Sequence, residues 1–165
     1  MFFRVPGGTA CFFWTEIGPI KSDIERAKEA YMVRLSKKVE YGLIAIRHIA
    51  TRSVGDLMTA KEIAEIYGIP FELLAKILQR LTKAGLVVSV QGVHGGYSLA
   101  RRPEEIPVSA IINAIDGTQP VIAQCLSEGP ASCGVFNTCT IKSPLSKVQA
   151  NIERAFSSMT LSEIV

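Results

Sequence analysis

Cys125, Cys133 and Cys139 follow one another with seven and then five residues between them, in a stretch that also holds Gly129, Pro130 and Gly134. Zinc sites usually show tighter Cys-x2-4-Cys pairs, and three thiols cannot all pair as intramolecular disulfides. Three thiolates spread over a glycine- and proline-bearing segment can wrap an object larger than one ion, and iron–sulfur clusters are held mainly by cysteine thiolates. Three is one ligand short of four. The fourth would come from Cys11, a carboxylate, an imidazole or a small molecule, and a weak fourth ligand would leave one iron labile. The spacing leaves four readings open: an iron–sulfur cluster, a thiol redox sensor, a zinc site, or cysteines with no joint role.

The second chemistry is electrostatic. Residues 33–102 hold 11 Lys and Arg against 5 Asp and Glu, whereas residues 103–165 hold 3 against 6. A basic first lobe and an acidic second lobe suggest a polyanion binder joined to a lobe with another task, with nucleic acid as the leading partner. The elements that must position those charges are legible. From Ser36, apolar Val39, Leu43, Ile46 and Ala50 recur at helical spacing to about Arg52. Thr59 and Glu62 have capping-box spacing ahead of a short stripe, Ala60, Ile63, Ala64 and Tyr67, that stops at Gly68. Pro70 suits the first position of a third helix, in which Phe71, Leu74, Leu78 and Leu81 keep period until Gly85 and Lys76, Gln79, Arg80 and Lys83 take polar positions. Strand-like Leu86–Val90, a glycine-rich turn at Gln91–Gly96 and a second strand from Tyr97 to Ala100 complete a β-hairpin. Three helices followed by such a hairpin in about 65 residues is the order of a winged helix-turn-helix.

Beyond the basic pair Arg101-Arg102, Ser109–Ile115 predicts a short helix, and residues 116–142 lose periodicity as one long loop around the three cysteines. Pro144 then restarts a helix with Leu145, Val148, Ile152, Ala155, Phe156 and Met159 on one stripe. In a two-fold regulator such a late helix packs on its copy and sets two reading helices about one DNA turn apart, so a homodimer is expected. The fold class is therefore mainly α: a winged helix-turn-helix with a two-stranded β wing, a cysteine-bearing loop and a long C-terminal dimerisation helix. Residues 1–31 resemble nothing that follows and read as an N-terminal extension, either a flexible arm or residues upstream of a natural start at Met32. Residues 32–102 form the DNA-binding domain, and residues 103–165 carry the loop and dimerisation helix. With 165 residues, 48% hydrophobic and 20% charged, the chain can bury a core. No stretch reaches the run of roughly 18 uncharged apolar residues needed to span a bilayer, so no membrane is expected and the cytoplasm is the default compartment.

These motifs together resemble the iron–sulfur-sensing winged-helix transcription regulators of the IscR, NsrR and RirA type, over about residues 33–165. The resemblance rests on Arg34-Leu35-Ser36, on Leu81-Thr82-Lys83-Ala84-Gly85-Leu86-Val87, on Gly92-Val93-His94-Gly95-Gly96-Tyr97, on the three loop cysteines and on the closing Thr160-Leu161-Ser162-Glu163-Ile164-Val165. It implies a homodimer whose Cys125, Cys133 and Cys139 hold a [2Fe-2S] or [4Fe-4S] cluster, with cluster state changing affinity for double-stranded promoter DNA. The cysteine spacing is closer to the RirA type than to the IscR type. IscR-like members carry a ligand histidine three residues after the last cysteine, where this chain has Lys142, which cannot substitute while protonated. NsrR-like members use an aspartate early in the first helix of the partner subunit, and the matching residue here is Glu40, the candidate fourth ligand.

The resemblance also puts the third helix in the major groove and the wing along the minor groove. Phe71, Glu72, Ala75 and Lys76 then reach base edges, Arg80 and Lys83 meet phosphate or solvent, and Gln91, His94 and Tyr97 lie on the wing. IscR has a glutamate in place of Ala75 and an arginine in place of Gln91, so its operator preference does not transfer. His48 reads as a structural or surface residue. The function implied is a repressor of iron–sulfur assembly or iron-homeostasis genes, served by cluster donor proteins. No nucleotide-binding glycine loop, nucleophile–base pair or carboxylate dyad points to an enzyme. The alternatives are a nitric-oxide- or thiol-responsive regulator using the same cysteines, and a cluster-carrying dimeric module that does not bind DNA.

Overall fold

The computed structural model describes residues 34–52, 56–92 and 95–165. The expectations for residues 1–31, for a start at Met32, for Cys11 and for His94 lie outside the described residues. The first helix, α1, spans Lys37–Ala50 and begins where Ser36 Oγ accepts the Val39 N–H at 3.2 Å. Its buried face is Val39, Gly42, Ala45, Ile46 and Ile49 rather than the expected Val39, Leu43, Ile46 and Ala50. Gly42 explains the shift. A methyl group there would strike Ile115 Cδ1 and stand 3.2 Å from Ile77 Cγ2, so the missing side chain lets two other helices approach α1 closely.

Helix α2, Ala60–Tyr67, opens on the expected capping box: Thr59 Oγ1 accepts the Glu62 N–H at 3.1 Å and Glu62 Oε2 accepts the Thr59 N–H at 2.8 Å. It ends at Gly68, whose φ of 63° lies in the left-handed region that favours glycine. Helix α3, Phe71–Lys83, starts one residue after Pro70 and buries Leu74, Ile77, Leu78 and Leu81. Phe71, expected on that stripe, is 51% exposed because it begins the helix beside the turn rather than over the core. Strands β1, Val87–Val90, and β2, Gly96–Leu99, pair antiparallel from Val87 opposite Leu99 to Val90 opposite Gly96. Met58 adds a one-residue bridge on the other side of β2, exchanging both backbone hydrogen bonds with Tyr97 at 3.1 and 2.8 Å.

Helix α4, Val108–Asp116, packs on α1 and α3 and buries Val108, Ile111, Ile112 and Ile115. The segment expected as one loop contains a short helix, α5, at Gln124–Ser127 and a 3-10 turn at Pro130–Ser132. Helix α6 spans Lys142–Ser158, starting two residues before Pro144, which sits in the first turn where its missing N–H costs nothing. After α6 the chain returns: Thr160 bridges Pro107, the Leu161 N–H donates to Ile106 O at 2.8 Å, and Leu161 is fully buried. One core unites α1 to α4, the hairpin and Leu161, with Phe156 of α6 packed against it, and each fully buried Ile or Leu in it contributes about 1.5–3 kcal/mol. Among the described residues no helix is long and apolar enough to cross a membrane.

Candidate DNA-reading face and thiol loop

The first turns of α3 present their polar side to solvent. Phe71, Glu72 and Lys76 are exposed, Ala75 is half-buried, and Lys83 is exposed at the far end. Arg80 differs from the others: its Nη1 donates to the carbonyl of Ile115 in the last turn of α4. Arg80 is itself exposed, so one N–H is engaged at a helix C-terminus, where a cation is favoured, while the guanidinium keeps donors for solvent or phosphate. On the hairpin, Gln91 is exposed, whereas Tyr97 is held by the Met58 bridge and packs against the core.

Gly96 makes that bridge possible. A Cβ at this position would lie 2.9 Å from the Met58 carbonyl oxygen and 3.0 Å from Leu57 Cβ. His48 is structural: its Nδ1 lies 2.9 Å from the Tyr67 hydroxyl, the rings meet edge to face, and Nε2 is buried with no hydrogen-bond partner. Burial, helped by the nearby Arg52 charge, holds its pKa below the ordinary value.

The thiol loop is rooted on α4 and closed by α6. Cys125 lies in α5; the Cys133 N–H donates to Pro130 O at 3.3 Å and its carbonyl accepts the Phe136 N–H at 3.1 Å; Cys139 precedes α6. All three are free and half-buried. Their donor chemistry, soft sulfur partly shielded from water, suits an iron–sulfur cluster. Among the described residues no three His, Cys, Asp or Glu side chains converge to hold one metal ion, so the loop carries the three thiols on one segment without gathering them. Glu40 stands apart on α1, where it accepts from Lys37 Nζ at 2.5 Å. Lys142, three residues after Cys139, lies 3.6 Å over the Phe136 ring as a cation–π partner.

The apolar stripe of α6 is covered unevenly along its width. Leu145, Ile152 and Phe156 are half-buried, and Phe156 packs on the core; Ile141, Val148 and Met159 are 58, 48 and 41% exposed, and Ala155 is exposed with them. Gln149, between the inward residues, is buried and bonds the backbone of residues 120–122, a contact with no signature in apolar periodicity.

Comparison with known proteins follows the same boundaries. A family model described as Rrf2, iron-dependent transcriptional regulator, matches residues 35–165. The HTH-type transcriptional regulator NsrR of Oceanobacillus iheyensis is 30% identical over 133 residues, covering 81% of this chain and 90% of that protein. Among solved structures, T. potens IscR is 33% identical with a TM-score of 0.62, covering 79% of this chain and 85% of that one. CymR, the global cysteine regulator of B. subtilis, is 25% identical with a TM-score of 0.63, covering 81% and 96%.

Proposed function

The chain belongs to the Rrf2 family of transcriptional regulators, and on that premise we propose that it is a homodimeric repressor of iron–sulfur assembly or iron-homeostasis genes, controlled by a cluster on Cys125, Cys133 and Cys139. The observation that carries this reading is the loop itself: three free, half-shielded thiols on the segment between α4, which packs on the reading helix, and α6, whose outer apolar face is uncovered. When bound, a cluster supplies an iron centre whose integrity depends on iron supply and oxidants. The chain's own residues supply the rest. Phe71 and Ala75 offer the apolar contact made to thymine methyls, Glu72 an acceptor for cytosine, and Lys76 a donor for guanine or phosphate. Gln91 and His94 follow the backbone from the wing, and Tyr97 steadies the wing's base. Glu40 of a second copy would be the fourth ligand to such a cluster, since its exposed ion pair with Lys37 is easily broken. A tenfold change in operator affinity needs only about 1.4 kcal/mol of difference between the two states.

The test is anaerobic purification of the full chain, with iron, acid-labile sulfide and visible absorption measured on one sample and repeated for Cys133→Ala. Iron and sulfide present in the parent and absent in the variant are expected. A parent that stays colourless after anaerobic reconstitution and still binds promoter DNA would sink the cluster reading.

The three free thiols, together with likeness to a protein named as a cysteine regulator, favour one second reading: thiol oxidation alone switches DNA binding. That regulator would lose or gain promoter affinity on mild oxidation with no iron in the sample.

A further inference from the structure

Gln149 is the single buried polar side chain among the described residues, 7% exposed on the inner side of α6. Its Oε1 accepts the Ile122 N–H at 3.0 Å, and its Nε2 donates to Pro120 O and to Glu153 Oε1, both at 2.9 Å. Rotating the amide by half a turn would set N–H against N–H at Ile122 and oxygen against oxygen at Pro120, so the partners fix its orientation. Ile122 donates to no backbone carbonyl, so this side chain takes the place of a secondary-structure partner. Three residues before Ile122, Gln119 Nε2 donates to Ser109 O on α4 at 2.9 Å. Residues 119–122 are thus stitched to α4 on one side and to α6 on the other, and three residues later comes Cys125.

We propose that Gln149 is the positioning residue of the thiol loop: it fixes the root of the Cys125 segment on α6, so that this thiol is placed by α6. Its consequence for regulation rests on the reading of Cys125 as a sensor thiol; its geometry does not. The outer side of α6 is the apolar face a second copy would cover, so a single helix would set both the subunit contact and the position of the first cysteine. Cys133 and Cys139 lie beyond the clasp, nearer the turn that enters α6, and Gln149 bonds neither of their segments.

The test uses reduced, metal-free full chain and reads the iodoacetamide alkylation rate of each cysteine by peptide mass spectrometry, with Cys139 as internal reference. In Gln149→Leu, which keeps volume and helix preference, Cys125 alkylation should rise about tenfold relative to Cys139 as the segment opens locally, while amide exchange in α1 to α3 stays as in the parent. Gln149→Glu supplies a readout that a merely space-filling residue would not move. Its carboxylate still accepts from Ile122 but faces Glu153 and has no proton for Pro120; once protonated it donates again. The ratio of Cys125 to Cys139 reactivity should therefore return toward the parental value as pH goes from mildly alkaline to mildly acidic. An unchanged ratio in Gln149→Leu, or an equal rise at all three cysteines with loss of protection throughout the winged helix, overturns the proposal. Should Gln149→Leu not fold, the parent decides alone: an Ile122 amide that exchanges as freely as an unstructured one overturns it too. Iron content of the parent, measured separately, tells failure of the cluster reading from failure of the clasp.

Discussion

Arg80 lies exposed on α3, and one N–H of its guanidinium donates to the carbonyl of Ile115. Its charge is thereby held at the joint between α3 and α4, where it orders the protein. Arg80→Ala is expected to lower stability by about 1 kcal/mol, with a smaller effect on the salt dependence of promoter binding. Lys76→Ala should do the reverse, with little change in stability and a slope of log affinity against log salt reduced by about one, as for a lost phosphate contact. Urea unfolding and a salt titration of DNA binding check both. A second residue-scale prediction concerns His48. Its folded pKa is depressed, chiefly by burial, so the stability it contributes is present above the ordinary pKa of about 6.5 and is lost as pH falls through the depressed value. Melting temperature should fall on mild acidification, and His48→Gln should flatten that fall; an identical pH profile in the variant would exclude His48 as its source.

At the scale of elements, what the sequence shows depends on whether the signal is local. The capping box of Thr59 and Glu62, the left-handed Gly68 and the hairpin are short-range chemistry and are all legible. The inner face of α1 is not, since Gly42 adds nothing to an apolar pattern and its role comes from Ile115 and Ile77, which meet it from far along the chain. The bridge of Met58 with Tyr97 has no periodicity because it is one residue long, and α5 is too short to complete a helical repeat. The candidate site divides likewise: residue type and spacing single out the three cysteines, while Gln149 and the engagement of Arg80 depend on tertiary neighbours. Gly96→Ala tests the hairpin's dependence on close backbone approach. The added methyl meets the Met58 carbonyl, which cannot swing aside as a side-chain tip could, so a loss of about 1–3 kcal/mol is expected in denaturant unfolding.

For the molecule as a whole, basic residues gather in the winged helix and acidic ones in the lobe that carries the thiols. Val148 on α6 and Ile141 and Met159 at its two ends are exposed, and they form the surface proposed for a second copy. Val148→Asp is expected to yield a monomer in sedimentation and to weaken promoter binding well beyond tenfold, since two linked reading helices bind far more tightly than one. A dimer that survives the substitution would place the contact elsewhere. The bridge between Pro107 and Thr160 bears on how the cysteine-bearing loop can change over time. It closes the acidic lobe into a ring whose ends are already joined, and the entropy of closing a ring grows only with the logarithm of its length. Ten extra residues between the cysteines would cost about 0.2 kcal/mol. Insertions and deletions in the loop are thus nearly free of thermodynamic penalty, and the spacing of the thiols can drift while the winged helix stays fixed.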